Sequence, residues 1–274
     1  MKQFLVMQVR SMVCRNPSHA CSQRGGSPMV ELMPKRQPRW IISSLLLLSI
    51  GTLSPASQRV YLIHGFGSNP LSMAKLDRSL RKEGFQTSNY GYNSVYKDLD
   101  TLGEQLSHEI AALDEDSVSF VTHSMGALVV RAMYRYIEPN VRFPMVNRIV
   151  MIAPPNKGAE IADFFSSNKI ISLILGPNLK KMRTDSGSYA NRLPKPRFCE
   201  IGVIIAVKKH RPWHNRSIDK VNDGFLTPER ATLGIEKEVA ILQASHILVT
   251  MKRQAVKLVV RFIATGSFKP AGRH

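Results

Sequence analysis

Three residues whose side chains could together perform nucleophilic chemistry occur along the chain in the order Ser124, Asp223, His246. Serine is a weak nucleophile at neutral pH, so a base must accept its proton and an acid must hold that base in the right tautomer. Histidine and a carboxylate are suited to these two tasks. We therefore predict a triad with Ser124 as nucleophile, His246 as base and Asp223 as acid.

The surroundings of Ser124 support its role. Residues 118–122 predict a strand and residues 125–136 predict a helix, so Ser124 lies at a sharp strand-to-helix junction. Such a nucleophile elbow forces the serine into a strained turn where the two backbones approach closely. Gly126 provides the small residue required there, but Thr122 occupies the position of the first glycine in the usual G-x-S-x-G motif. An ordinary helix N-cap is the alternative interpretation of Ser124.

A glycine-rich loop, His64-Gly65-Phe66-Gly67, directly follows the first predicted strand. Acyl transfer needs backbone N–H groups that stabilise the oxyanion of the tetrahedral intermediate. We predict that one belongs to Phe66 in this loop and the other to Met125, just after the nucleophile. A flexible strand-to-helix turn is the alternative interpretation of the loop.

The proposed acid and base both follow predicted strands. Asp223 lies in the turn sequence Asn222-Asp223-Gly224, and His246 follows the last predicted strand. Ligands and catalytic groups gather at the loops beyond the carboxyl ends of parallel strands. Asp219 is a competing acid that lacks the turn glycine.

Two further histidines are not expected to act as the base. His123 directly precedes the nucleophile, so its side chain should point away from Ser124 and support the site from behind. His64 is expected to shape the glycine-rich loop.

From Arg59 onward, short β-branched or apolar runs alternate with amphipathic stretches, which is typical of a parallel sheet covered by helices. The predicted strands are residues 60–63, 85–90, 118–122, 146–152, 198–206 and 238–242. Helical periodicity is clear at residues 98–113 and 251–263. The pattern predicts an α/β fold with a mostly parallel sheet of about six strands and helices on both faces.

The N-terminal region differs from the rest of the 274-residue chain. Basic residues precede the apolar run Ile41 to Leu53, and small residues follow it, which is the layout of a secretory signal. We predict that residues 1–56 form an extension with a signal peptide cleaved after Ala56, and that residues 57–274 form the catalytic domain. The protein would then be exported, as a periplasmic or secreted protein. A retained membrane anchor is the alternative.

The chain is strongly basic, with a formal net charge of +18 at pH 7. A positive surface could favour an anionic membrane, although a solvated surface is the simpler interpretation. Nucleic acid is not expected, because no cluster of Lys and Arg alternates with aromatic residues. Cys199 is the only cysteine after residue 56 and reads as a small core residue. No metal is expected, since His210 and His214 enclose Pro212 in a loop.

Three sequence segments resemble the α/β-hydrolase superfamily, and within it small bacterial lipases and esterases. They are VYLIHGFG at residues 60–67, THSMG at 122–126 and APPNKG at 153–158, followed by NDG and SH in the same order. The resemblance covers Arg59 to about Phe268. It implies an α/β-hydrolase fold with a reduced lid, and hydrolysis of carboxylic esters or lipids without a metal or organic cofactor. Residues 164–175 would form an acyl-binding wall or short lid, with core packing as the alternative.

Two other functions stay open at this point. An acyltransferase of the cell envelope could use the same triad, and products formed with competing alcohols would reveal it. A non-catalytic binding protein could use the same scaffold, since a fold does not fix a function. A fluorophosphonate probe that leaves Ser124 unmodified would favour that second possibility.

Overall fold

The computed structural model describes residues 59–208 and 221–270 of the chain. At its centre is a six-stranded sheet in which every pair of neighbouring strands is parallel, in the order β2-β1-β3-β4-β5-β6. The strands are β1 (Arg59–Ile63), β2 (Gln86–Tyr90), β3 (Ser117–His123), β4 (Met145–Ile152), β5 (Glu200–Val207) and β6 (Glu238–Gln243). The predicted α/β fold is confirmed, with a sheet that is parallel throughout.

Helices connect the strands. They are α1 (Ala74–Lys82), α2 (Leu99–Ala111), α3 (Gly126–Met133), α4 (Glu160–Ser166), α5 (Lys169–Ile174), α6 (Pro177–Lys181), α7 (Tyr189–Arg192), α8 (Pro228–Ala231) and α9 (Arg253–Thr265). Short 3-10 helices are formed by Pro70–Met73 and Val249–Met251. Across residues 59–208 and 221–270, no helix combines the length and apolar character needed to cross a membrane.

Both faces of the sheet are buried, which explains the nearly continuous apolar runs of its central strands. Successive side chains point to opposite faces, so Ile63 and Phe120 contribute to one core cluster while Leu62 and Val121 contribute to the other. Helices α2 and α3 cover the first face, and α1 and α9 cover the second. The sheet is therefore a rigid platform whose carboxyl edge carries the loops of the candidate site.

Helix α2 follows the predicted periodicity. Its leucines at positions 99, 102 and 106 are fully buried, and the Asp98 side chain caps the helix by accepting a hydrogen bond from Asp100 N at 2.9 Å. The helix packs closely on α3 at Gly103, where an added Cβ would lie 2.4 Å from the Ala132 Cβ. This contact holds α3, the helix that follows Ser124, against α2.

The start of the fifth predicted strand differs from the prediction. The strand begins at Glu200, while Phe198 is 96% exposed and has a left-handed φ of 58°. Cys199, predicted as a core residue, is only partly buried, with its sulfur 3.7 Å from the Tyr134 hydroxyl. Burial raises the pKa of its thiol. An apolar run alone does not reveal where a chain turns into the sheet.

Several sequence predictions concern residues that lie outside the described part of the chain. These are the signal-like run within the 1–56 extension, the histidines His210 and His214, and the competing acid Asp219. Export and cleavage after Ala56 stay predictions.

Gly126 lies where α3 approaches the end of β1 closely. An added Cβ would lie 2.4 Å from Ile63 O and 2.7 Å from His64 O, both rigid backbone atoms. We expect Gly126→Ala to lower the free energy of unfolding by about 1–3 kcal/mol or more, since the helix must move to admit the methyl group. Urea unfolding followed by circular dichroism measures the loss.

Gly187→Ala is the matched control, because its Cβ would meet only the Asp185 carboxylate at 3.4 Å. If both variants unfold at the same urea concentration as the unmodified protein, the close approach at Gly126 does not exist in solution.

Candidate active site

Ser124 lies between β3 and α3 in a strained backbone conformation. Its φ is +51°, in the left-handed region that non-glycine residues rarely adopt. The backbone N–H donates to Ile152 O at 2.9 Å, which ties the turn to β4. Thr122, in the place of the usual glycine, is fully buried in β3. The structure thus has the geometry of a nucleophile elbow despite the sequence departure at Thr122.

The three predicted triad residues lie together at the carboxyl edge of the sheet. Ser124 Oγ is 2.8 Å from His246 Nε2, and His246 Nδ1 is 2.6 Å from Asp223 Oδ2. Asp223 and His246 are buried. When Nδ1–H donates to the carboxylate, Nε2 is the unprotonated atom that can accept the serine proton.

The turn that carries Asp223 orients its carboxylate. Oδ1 accepts hydrogen bonds from the backbone N–H groups of Phe225 at 2.9 Å and Leu226 at 3.0 Å. Gly224 has a φ of 109°, a conformation that glycine adopts without strain. Because backbone donors occupy one carboxylate oxygen, the other is directed at His246.

Two further contacts hold His246 in place, one made by its backbone and one by its ring. Its own backbone N–H donates to Asp223 O at 3.0 Å. This bond links the loop after β6 that carries His246, residues 244–248, which we call the base loop, to the turn at residues 222–224 that carries Asp223. The Phe225 ring stacks on the imidazole, with centroids 4.5 Å apart and planes inclined by 15°. These contacts leave the ring little freedom to rotate away from Ser124.

The glycine-rich loop after β1 lies beside Ser124. An added Cβ on Gly65 would lie 3.0 Å from the Ser124 Cβ. Among the described residues, no hydrogen bond uses the backbone N–H of Phe66 or of Met125. Met125 precedes the first turn of α3. Both groups are thus free to donate to a ligand oxygen, as the oxyanion prediction requires.

His64 and Tyr92 brace this loop. The Tyr92 hydroxyl donates to His64 O at 2.5 Å, and the two rings stack with centroids 4.2 Å apart. His64 Nδ1 lies 2.9 Å from Gly65 O, to which it donates. Burial lowers the pKa of the His64 imidazole. The histidine therefore contacts the loop rather than the nucleophile, in keeping with the shaping role expected for it.

A cavity of about 620 Å³ opens onto Ser124 and His246. Its wall is mainly apolar, and most of its apolar side chains come from residues 160–182, which contain α4, α5 and α6; we call them the wall segment. The apolar lining residues of the wall segment are Ile161, Ala162, Phe165, Ile171, Ile174, Leu175, Leu179 and Met182. The cavity is of the size and polarity typical of small-molecule sites.

Residues 164–175, predicted either as an acyl-binding wall or as core packing, have features of both. Phe165 and Leu175 line the cavity and also pack on the core, whereas Ile170 and Leu173 are 71% and 82% exposed. Ala162, Leu179 and Met182 belong to the core cluster, so the wall segment both lines the cavity and contributes to the core.

A family model described as Domain of unknown function (DUF7379) matches residues 37–189, more than half of the chain. The chain belongs to this family. No curated protein matches the chain in sequence.

Solved structures similar to this DUF7379 member include the mature Bacillus licheniformis lipase BlEst2. It has a TM-score of 0.60 and 16% identity, over 78% of this chain and 93% of the lipase. The metagenomic carboxyl esterase MGS0156 has a TM-score of 0.57 and 19% identity, over 72% of this chain and 66% of the esterase. Aspergillus fumigatus lipase B has a TM-score of 0.53 and 14% identity, over 80% of this chain and 55% of that lipase. The chain thus has an α/β-hydrolase fold of the lipase and esterase type.

Sequence reasoning missed one buried cation in this DUF7379 member. Arg131 of α3 is 1% exposed, and its guanidinium donates to the carbonyl oxygens of Asn156 at 2.7 Å, Leu193 at 2.6 Å and Pro194 at 3.1 Å. Burial lowers its pKa to about 10. Arg131 fastens the loop after β4 and the segment after α7 to α3. The available signal was a single Arg in an otherwise apolar helix.

Proposed function

We propose that this protein is a serine carboxylic ester hydrolase, lipase- or esterase-like, that acts through an acyl-enzyme. The observation that carries the proposal is the unbroken chain of hydrogen bonds from Ser124 through His246 to Asp223, at the mouth of an apolar cavity. The lipase and esterase structures named above share its fold, which supports this function without establishing it.

In the first half-reaction, Ser124 Oγ attacks the ester carbonyl carbon while His246 Nε2 accepts the hydroxyl proton. The carbonyl oxygen becomes an oxyanion, to which the backbone N–H groups of Phe66 and Met125 donate. Asp223 stabilises the imidazolium. The bond to the alcohol oxygen then breaks, and His246 passes the proton to the departing alkoxide.

In the second half-reaction, water takes the place of the alcohol. His246 accepts a proton from the water as its oxygen attacks the acyl carbon, and the bond to Ser124 Oγ then breaks. The proton returns to Ser124, and the carboxylic acid leaves. No cofactor is needed for either half of this reaction.

The surroundings of the cavity support an ester or lipid substrate. Leu173, Ile174 and Ile247 are more than half exposed, and the latter two also line the cavity. These side chains and the net positive charge favour contact with an anionic membrane surface. Sedimentation with anionic and neutral vesicles tests this contact, and failure to bind either kind would rule it out.

A panel of p-nitrophenyl esters of increasing acyl length, run with and without an added alcohol, tests the proposed reaction. We expect release of nitrophenol with free carboxylic acid as the main product. A product in which the acyl group is mainly on the added alcohol would instead indicate the acyltransferase. Absence of turnover with every ester would contradict the proposal.

Phe165 is expected to contribute to recognition of the acyl chain. Its ring lines the cavity, whereas the neighbouring Phe164 packs edge-on against it and is 50% exposed outside the lining. We expect Phe165→Ala to lower kcat/KM for an octanoyl ester about 10-fold, since apolar contact area is lost, and to leave the acetyl ester nearly unchanged.

Phe164→Ala is the control for this prediction and should change neither substrate appreciably. If the two variants lose the same activity on both esters, the acyl chain does not contact the wall segment through Phe165.

A further inference from the structure

The side chain that directly precedes the nucleophile reaches across to the loop of the base. His123 ends β3, and its Nε2 lies 3.0 Å from the backbone carbonyl oxygen of His246. The two imidazole centroids are 5.2 Å apart. One residue thus connects the strand that carries Ser124 to the loop that carries its base.

The direction of this hydrogen bond follows from the partner and from burial. A carbonyl oxygen only accepts, so His123 Nε2 must carry the proton. Burial is the main reason that the pKa of His123 is lowered to about 3, and electrostatic repulsion between the two imidazoles adds to the lowering. A neutral imidazole has one N–H, which leaves Nδ1 bare. Within the described residues this buried Nδ1 has no hydrogen-bond partner.

At the base loop, the N–H groups of Leu248 and Val249 donate to Ser245 O at 3.2 and 3.1 Å, and Val249 is fully buried. Ile247 and Leu248, which follow His246, are 63% and 52% exposed. The backbone of His246 makes two hydrogen bonds: its N–H donates to Asp223 O, and its carbonyl oxygen accepts from His123 Nε2. Removal of the second bond would release the His246 carbonyl from its contact with the end of β3.

The His123 ring also borders the glycine-rich loop at residues 64–67. A Cβ built on Gly65 would lie 3.2 Å from His123 Nδ1. The ring therefore fills the space between the glycine-rich loop and the base loop. Its Nε2 bonds the backbone of His246 rather than Ser124 Oγ or the His246 ring, so it is placed to set the separation of Ser124 and His246.

We propose that His123 is a positioning residue that donates its Nε2–H to the His246 carbonyl and so fixes the base at reacting distance from Ser124 Oγ. This inference rests on the proposed ester hydrolase function. It goes beyond the triad because it assigns a residue of the nucleophile strand to the placement of the base.

Substitution by phenylalanine and by glutamine tests the proposal. His123→Phe keeps a ring but has no donor, while the terminal amide of His123→Gln can put an N–H close to the former Nε2 position. We expect the Phe variant to lower kcat about 100-fold with little change in KM, because a shift of about 1 Å at the base costs that much. The kcat of the Gln variant should be at least about 10-fold higher than that of the Phe variant.

His123→Asn provides a second donor-deficient variant if the Phe variant does not fold, because its shorter amide cannot reach the carbonyl. Full activity in a folded Phe or Asn variant would overturn the proposal, as would equal loss in the Gln variant. Labelling of the unmodified protein by a fluorophosphonate distinguishes failure of the ester hydrolase proposal from failure of the proposed role of His123. No adduct on Ser124 would contradict the ester hydrolase itself, whereas a normal adduct with fully active variants would contradict only the role of His123.

Discussion

Ser124→Ala is expected to lower kcat for ester hydrolysis on the order of 10⁴- to 10⁶-fold, because the variant lacks the oxygen that forms the acyl-enzyme. KM should change little, since the cavity wall and the backbone N–H groups of Phe66 and Met125 are untouched. Stopped assays of purified protein with p-nitrophenyl butyrate measure both constants.

Ser79→Ala is a suitable control for this variant. Ser79 lies on α1, where its hydroxyl donates only to Lys75 O at 2.8 Å. It should keep the activity of the unmodified protein. If the Ser124 variant kept more than about a tenth of the kcat of the unmodified protein, another group would have to perform the chemistry.

Asp223→Asn is expected to reduce kcat about 10⁴-fold while the fold is retained. The two backbone N–H groups that now bond Oδ1 would select the amide oxygen of the asparagine. Its NH₂ group would then face His246 Nδ1 and act as a donor. The imidazole would have to carry its proton on Nε2, where it could no longer accept the proton of Ser124.

Two further substitutions complete this experiment. Asp116→Asn removes a fully exposed carboxylate that pairs only with Arg142 on the surface, and should have no effect on kcat. Asp219→Asn tests the competing acid suggested by the sequence. An active Asp223 variant together with an inactive Asp219 variant would transfer the role of the acid to Asp219.

The fold could be predicted well because each central strand is buried on both faces. Such a strand is rich in apolar residues, and the runs at residues 149–152 of β4 and 201–207 of β5 are therefore visible without structural information. The spacing of Leu99, Leu102 and Leu106 likewise follows from the helical repeat. The order of the motifs along these elements was enough to select the three candidate triad residues.

The contacts that support the site could not be predicted in this way. His123 meets the His246 carbonyl, and Arg131 meets three carbonyls, only after distant segments have folded together. A backbone carbonyl is present at every residue, so the sequence gives no sign of which one a side chain will meet. The wall segment was ambiguous for a related reason, since its apolar residues serve both the cavity and the core without one regular period.

The most direct test of the central claim is the mass of the adduct formed with a fluorophosphonate. The protein is incubated with the probe, digested and analysed by tandem mass spectrometry. We predict one phosphonylated peptide, modified at Ser124, and no labelling in the Ser124→Ala and unfolded proteins. An unmodified Ser124 in folded protein, or a modification at another serine, would contradict the account.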